Sequence, residues 1–403
     1  MVDEQPLEDP VAEVDAELES AFERLRRLLA VPIALLASSL GVVCVVSVPE
    51  VLPVVSDLAL VDDRFIGWAG VGAALGLVLA TLSLFVVSSL GSGPALSLGA
   101  AGAVFGLALS HDVVDATQLS LALVVLGAAV GCLIGGAASM TFELSAPYRQ
   151  AVMVAWTVPL LGAWPLLAWL SRHVVLTPAD SAARLTHHPS VWLLAPVAAV
   201  ILVWGALTML TEPVRAVVRS DGDWESAWSA LLATTMGGIL AIMVLGFDPQ
   251  LQSGWLRPLI LLTTAGVTAG LAAVAVIVPD PNVRVAYVCM AFVALCLPVT
   301  VQLLVIVADD RPSRVSWGLA TLLALTTVLG AAVGARRPSL APTALLVVAA
   351  GCAGAWVMPS APWAMAAGAV PLTIGAGATF GAGARRAGAT AVGWRFSAGA
   401  VLA

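Results

Sequence analysis

The sequence predicts an all-α polytopic integral membrane protein, a helical bundle with about twelve full spans and a partial one. Three observations carry that prediction. Of the 403 residues, 60% are apolar and only 11% are charged, with a mean hydropathy of +1.00. Apolar stretches of about twenty residues recur between short polar breaks, each long enough to cross roughly 30 Å of hydrocarbon as a helix. The alternation of polar and apolar residues that a membrane barrel needs is absent.

The spans fall at 31–48, 66–88, 92–110, 119–140, 150–171, 191–210, 228–246, 256–278, 284–307, 315–334, 341–358 and 362–383. Before the first lies an acidic segment, 1–28, holding nine of the 25 acids. Its Val11, Val14, Leu18, Phe22 and Leu25 recur at spacings of three and four, one apolar face of a helix. That face predicts a helix lying on the membrane or on one end of the bundle. No cleavable leader is expected, because these residues are acidic and no cleavage-type small-residue site follows a short apolar core.

All 18 basic residues are arginine. Arg24, Arg26 and Arg27 precede the first span and place the N-terminus in the cytoplasm. On that assignment eleven arginines fall inside, among them Arg149, Arg336, Arg337, Arg385 and Arg386, and six fall outside. The plasma (inner) membrane is the expected location. Nucleic-acid binding is not expected, since no basic patch exists outside the loops.

Within the spans, small residues set the packing. Gly127, Gly131 and Gly135 repeat every four residues, and Gly72/Gly76, Gly102/Gly106, Gly330/Gly334 and Gly377/Gly381 repeat the spacing. Such residues let helix backbones approach where lipid supplies no hydrophobic drive, which predicts close contact within one bundle and a monomer. Pro159, Pro165, Pro196, Pro298 and Pro371 predict kinks. Trp169, Trp192, Trp255 and Trp363 sit at span ends as interface anchors. The five cysteines lie in spans without metal-type spacing and read as small apolar packing residues.

Chemistry is sparse. No HExxH, GxSxG, P-loop or paired-cysteine motif is present, so an enzyme, a metal and a cofactor are not expected. Outside the first 28 residues every acid maps to a loop or a span end, so no span offers a central proton-carrying carboxylate. What remains inside is neutral and polar: Ser38 and Ser39, Thr157, Thr300 and Gln302. Hydroxyls can bond back to their own helix. The Gln302 amide is harder to satisfy that way and is expected to face the bundle interior. These five residues are the candidates for lining a substrate cavity.

Several short landmarks occur in order: VSVPEV (46–51), APYRQAV (146–152), DWESAW (223–228), SGW (253–255), TVQLLV (300–305), WGLATLL (317–323) and GAAVGARR (330–337). Together they resemble the major facilitator superfamily, particularly its fourteen-helix drug:proton antiporter type. APYRQAV is similar to the proline-then-arginine start of that family's helix 5, with Arg149 as the arginine. Arg336 and Arg337 are similar to the arginine-bearing turn of its second half. These three arginines are then structural residues of the cytoplasmic face.

The resemblance implies a first six-helix bundle at 29–210, a cytoplasmic linker with two extra membrane helices at 211–280, and an incomplete second bundle at 281–403. The sequence then stops inside a helix, at 388–403, with one to two helices of the family's set not represented. A plain six-plus-six arrangement fits the hydropathy equally well.

By implication the protein exports small amphipathic organic molecules by alternating access. The family's charged positions are empty, however. The turn between spans 2 and 3 reads SSLGSGP (88–94), the helix-1 carboxylate aligns near Leu40, and the helix-4 arginine near Leu123. In the glycine-rich antiporter motif, VPLLGAWPLLAW (158–169), Trp164 and Trp169 fill glycine positions. Proton coupling of the family's kind is therefore not expected. The alternative is a degenerate, non-transporting member that serves as a membrane scaffold or sensory partner.

Overall fold

A computed structural model of the protein describes parts of residues 21–44 and 72–90, all of 91–111, 116–159 and 189–211, parts of 272–289, and residues 313–357 and 362–389. Thr300, Gln302, most of the acidic segment, the span expected at 228–246 and most of that at 256–278 lie outside the described residues.

The described residues are helical, joined by short turns, with no strand among them. Helix α1 covers Leu28–Gly41, and α2 is formed by residues within 72–90. They are followed by α3 (Ser92–His111), α4 (Ala116–Phe142), α5 (Ala146–Ala155) and α6 (Pro189–Thr211). The later helices are α7 (Ser313–Arg336), α8 (Ala341–Val357) and α9 (Pro362–Ala389), with a single 3₁₀ turn, Pro338–Leu340, between α7 and α8. For α3, α4, α6, α7 and α8 the expected span limits fall within three residues of the observed ends.

Two boundaries differ. The arginine-bearing residues before the span expected at 150 are already helical from Ala146, where Pro147 suits a first turn whose N–H groups have no helical acceptor. Helix α9 continues past the expected limit of 383 to Ala389, so Arg385 and Arg386 stand on its last turns and not in a loop. In α5 the regular helix gives way at Trp156, and Val158 and Pro159 adopt π-type turns. Proline 159 donates no N–H and crowds the carbonyl four residues back, which explains the break.

Size is distributed inside out. The buried core is rich in alanine, including Ala37, Ala100, Ala129 and Ala137, while Leu98, Phe105, Val203, Leu329 and Leu346 are exposed. Water would penalise that arrangement; lipid would not, because packing of small residues is what draws helices together there. Among the described residues two helices, within Ser92–Leu109 and Thr117–Phe142, are long and apolar enough to cross a membrane.

The glycines define how the helices run. Gly72 lies beside Ser120, Gly76 beside Leu123 and Gly127, and Gly131 beside Ala80 and Ser83, so α2 and α4 are parallel. Gly99 lies beside Leu133, Gly106 beside Leu126 and Gly136 beside Leu96, so α3 is antiparallel to α4. The second set repeats this plan. Gly330 lies beside Ile374, Gly377 beside Thr327 and Gly381 beside Ala331, so α7 and α9 are parallel. Gly351 lies beside Leu372 and Gly375 beside Val348 and Ala344, so α8 is antiparallel to α9. Units α2–α3–α4 and α7–α8–α9 therefore share one packing scheme, each with glycines at the parallel contact. The Gly127/Gly131 pair of α4 and the Gly377/Gly381 pair of α9 both meet backbone of a neighbouring helix in this chain, the close packing that the sequence predicts.

The turn SSLGSGP closes through Gly91, whose N–H donates to the Val87 carbonyl at 2.9 Å. Gly91 has a φ of +88° and open space around its α-carbon, whereas Gly318, in α7, also has open space but no such φ. Alanine at the two sites should therefore act oppositely. Gly91→Ala is expected to cost about 1–2 kcal/mol from the left-handed backbone, and Gly318→Ala to stabilise by up to about 1 kcal/mol through helix propensity. Denaturation midpoints of the purified variants read both signs.

Candidate functional site

Arg149 joins the two helical units. Its backbone N–H donates to Ser145 at 2.9 Å, which fixes it in the first turn of α5. From there the side chain donates Nε to the Gly388 carbonyl at 2.6 Å, across 239 residues of sequence. Nη1 donates to the Phe142 carbonyl at 3.2 Å and to the Leu144 carbonyl at 3.4 Å. The guanidinium also stands 5.6 Å from the centre of the Phe142 ring, a cation–π contact.

One side chain thus ties the α4–α5 turn to itself and to the end of α9. Arginine suits this because its planar fork points several donors at once. Only 6% of Arg149 is exposed. Burial lowers its pKa from the usual arginine value, yet an arginine retains its proton at any working pH, so the contact does not titrate.

The seam continues inward. Gly388 accepts the bond at a position where a β-carbon would lie 2.9 Å from the Gln150 α-carbon, so the two backbones touch. Val152 and Met153 of α5, Trp156 at its C-terminal end, and Phe380, Ala384 and Ala387 of α9 belong to one buried cluster. Helix α5 starts where α9 ends, so the two run antiparallel along this seam. The Trp156 indole N–H is buried there without an acceptor among the described residues.

The arginines share one end of the bundle. Because α7 and α9 are parallel, Arg336 and Arg337 lie at the same end as Arg385 and Arg386. Arg385 donates to the Ala335 carbonyl and so closes the end of α7 against α9. Arg149 reaches that end through Gly388. Arg149, Arg336 and Arg337, the three arginines that the resemblance makes structural, thus lie at one end of the bundle with Arg385 and Arg386, and the acceptors of Arg149 leave no mark in the sequence.

The cavity candidates are differently placed. Ser38 is buried and its hydroxyl donates to Ala34 at 2.8 Å. Ser39 donates to Leu35 at 2.7 Å, and Thr157, also buried, to Val154 at 2.6 Å. All three hydroxyl donors are spent on their own helix, as α-helical serine and threonine commonly do, and the structure brings them to no shared group. Thr300 and Gln302 lie outside the described residues.

Polar side chains do meet across helices among the described residues, and one such pair is Thr326 of α7 and Thr373 of α9, whose hydroxyls are 2.8 Å apart. Its signal in the sequence was only a buried hydroxyl on each of two apolar helices. Leu40 and Leu123, where the resemblance expects charges, are apolar and buried at 1% and 5% exposure. No group of three or more metal-ligating side chains occurs among the described residues.

No protein-family model matches the sequence, and no curated protein matches it. Among solved structures, the chain is similar to the human organic anion transporter MFSD10 (TETRAN), at 17% identity and a TM-score of 0.43, over 94% of this chain and 95% of that one.

Proposed function

We propose that this chain is an integral membrane transporter that moves a small, amphipathic organic molecule by rocking two helical units against each other. The observation that carries the reading is the repeated three-helix scheme, α2–α3–α4 and α7–α8–α9, closed at the arginine-rich end by Arg149 and Gly388. Transporters built from internal repeats bind substrate between the repeats and expose it alternately on each side. A seam sealed at one end is the geometry of one such state. The arginine-rich end is then cytoplasmic, and the membrane is the plasma membrane.

The same equivalence bears on organisation. Spans 2 to 4 correspond to spans 10 to 12, not to spans 8 to 10. That offset favours two extra helices between the units, within 211–280, over a plain six-plus-six plan. Energy coupling is a separate matter. With Leu40 and Leu123 apolar and buried, the described helices offer no carboxylate to load and release a proton, so we propose facilitated movement without proton coupling.

A second reading has its own support. Every described cavity candidate directs its hydroxyl into its own helix, as expected of a non-transporting membrane scaffold. Purified protein in liposomes loaded with fluorescent amphipathic cations, anions and neutral dyes separates the two. Saturable dye flux that is indifferent to a pH gradient is the expected result. Flux that requires the gradient would overturn the uncoupled mechanism. Absence of flux for the whole panel, from protein that unfolds cooperatively, would favour the scaffold.

A further inference from the structure

The arginines at the end of α7 have work that the seam does not use. Arg385 already satisfies the Ala335 carbonyl there, and the Arg337 N–H closes onto Val333 at 3.0 Å. The guanidinium groups of Arg336 and Arg337 are both exposed. Neither has an ion-pair partner among the described residues, where Glu143 is the one carboxylate.

Below them runs an exposed apolar stripe on the same helix: Leu322, Leu325, Leu329 and Val333, at 44%, 57%, 63% and 50% exposure. The spacings of three, four and four put these side chains on one face, and Arg336 extends it by three more residues. The stripe matches acyl chains in polarity, and the two cations sit at its end, where headgroup phosphates begin.

We propose that Arg336 and Arg337 form a binding site for the phosphate of an anionic phospholipid, with an acyl chain lying along Leu322 to Val333. The proposal rests on the membrane reading above but not on transport. Charge complementarity selects the ligand. A guanidinium fork engages phosphate oxygens in pairs, and a lipid without net charge leaves the second arginine uncompensated. Each arginine near an anionic surface contributes roughly a five-fold gain in binding, so two give about thirty-fold. Bound there, the lipid would brace the short turn between α7 and α8 from outside.

The test is native mass spectrometry of the full chain in detergent with phosphatidylglycerol, phosphatidylcholine or inorganic phosphate added. The expected result is retention of phosphatidylglycerol over phosphatidylcholine, with no retention of phosphate. The preference should fall by about thirty-fold in Arg336→Gln/Arg337→Gln and persist in Arg336→Lys/Arg337→Lys.

An unchanged preference in the glutamine variant would overturn the site, as would equal retention of the two lipids. Retention of inorganic phosphate alone would overturn the lipid assignment in favour of a soluble anion. Carbonate extraction of the unmodified protein from membranes is the separate check on the underlying reading. Release from the membrane would remove that reading, whereas lost selectivity in an embedded protein would remove only this site.

Discussion

Replacing Arg149 by alanine is expected to open the arginine-rich end of the bundle and to lower the unfolding midpoint. The guanidinium holds three carbonyls, those of Gly388, Phe142 and Leu144. A hydrogen bond to a charged group is worth about 1.5–3 kcal/mol, and a carbonyl left buried without a donor costs in the same range. Water entering the space that alanine leaves would recover part of that, for a net loss on the order of 3 kcal/mol. For a chain of this size the midpoint should fall on the order of 5 °C.

Lysine at 149 separates charge from geometry. A single ammonium cannot occupy both the Nε position facing Gly388 and the Nη1 position facing Phe142 and Leu144. Arg149→Lys should therefore keep the charge and lose much of the clamp. Spin labels at Tyr148→Cys and Ala389→Cys, in a background without the native cysteines, report the separation across the seam by pulsed electron resonance. The alanine variant should populate a longer distance than the unmodified seam, and the lysine variant should fall between. A distance distribution and a midpoint that are both unmoved by alanine would mean that Arg149 does not hold the two units together.

How much of this was legible beforehand follows from what each feature rests on. Helices α3, α4, α6, α7 and α8 were readable because hydropathy is a local property, and their ends fall near charged or turn-forming residues. Glycine spacing foretold close packing, since a GxxxG stripe has one physical use in an apolar helix. It did not tell that Gly127 meets Gly76 or that Gly334 meets Ala378, because a stripe of glycines does not name its partner.

The Arg149 contact was half legible. A proline followed by an arginine before an apolar run marks a helix start, yet the main acceptor is a backbone carbonyl 239 residues away, and carbonyls leave no mark in sequence. The extension of α9 through Arg385 and Arg386 was missed for a related reason. Charged residues read as a loop signal, whereas here Arg385 supports a neighbouring helix end. Ser38, Ser39 and Thr157 stand out in the sequence as polar residues of apolar spans, yet each bonds within its own helix.

Alanine at Gly127 and at Gly334 should be the most damaging small substitutions in the described helices, and equally so. A β-carbon at Gly127 would fall on the backbone of Gly76, and one at Gly334 on the backbone of Ala378. Backbone atoms of a neighbouring helix cannot step aside as a flexible side chain can, so the helices must part along their length. Overpacking costs about 1–3 kcal/mol and sometimes more, and these sites belong at or above the upper end.

Gly102 is the internal gauge. There a β-carbon would lie 3.1 Å from the Ala129 β-carbon, a contact that a shift of a few tenths of an ångström relieves. Its alanine variant should cost about 1 kcal/mol, while Gly318→Ala should stabilise. The expected order, measured by the folded fraction across a denaturing-detergent series, is therefore Gly127 and Gly334 together, then Gly102, then Gly318 with the opposite sign. Because Gly127 belongs to α2–α3–α4 and Gly334 to α7–α8–α9, matching losses at the two would mean that the shared packing scheme has shared energetics. A severe loss at one and indifference at the other would break the equivalence of the two units, and with it the main support for a rocking mechanism.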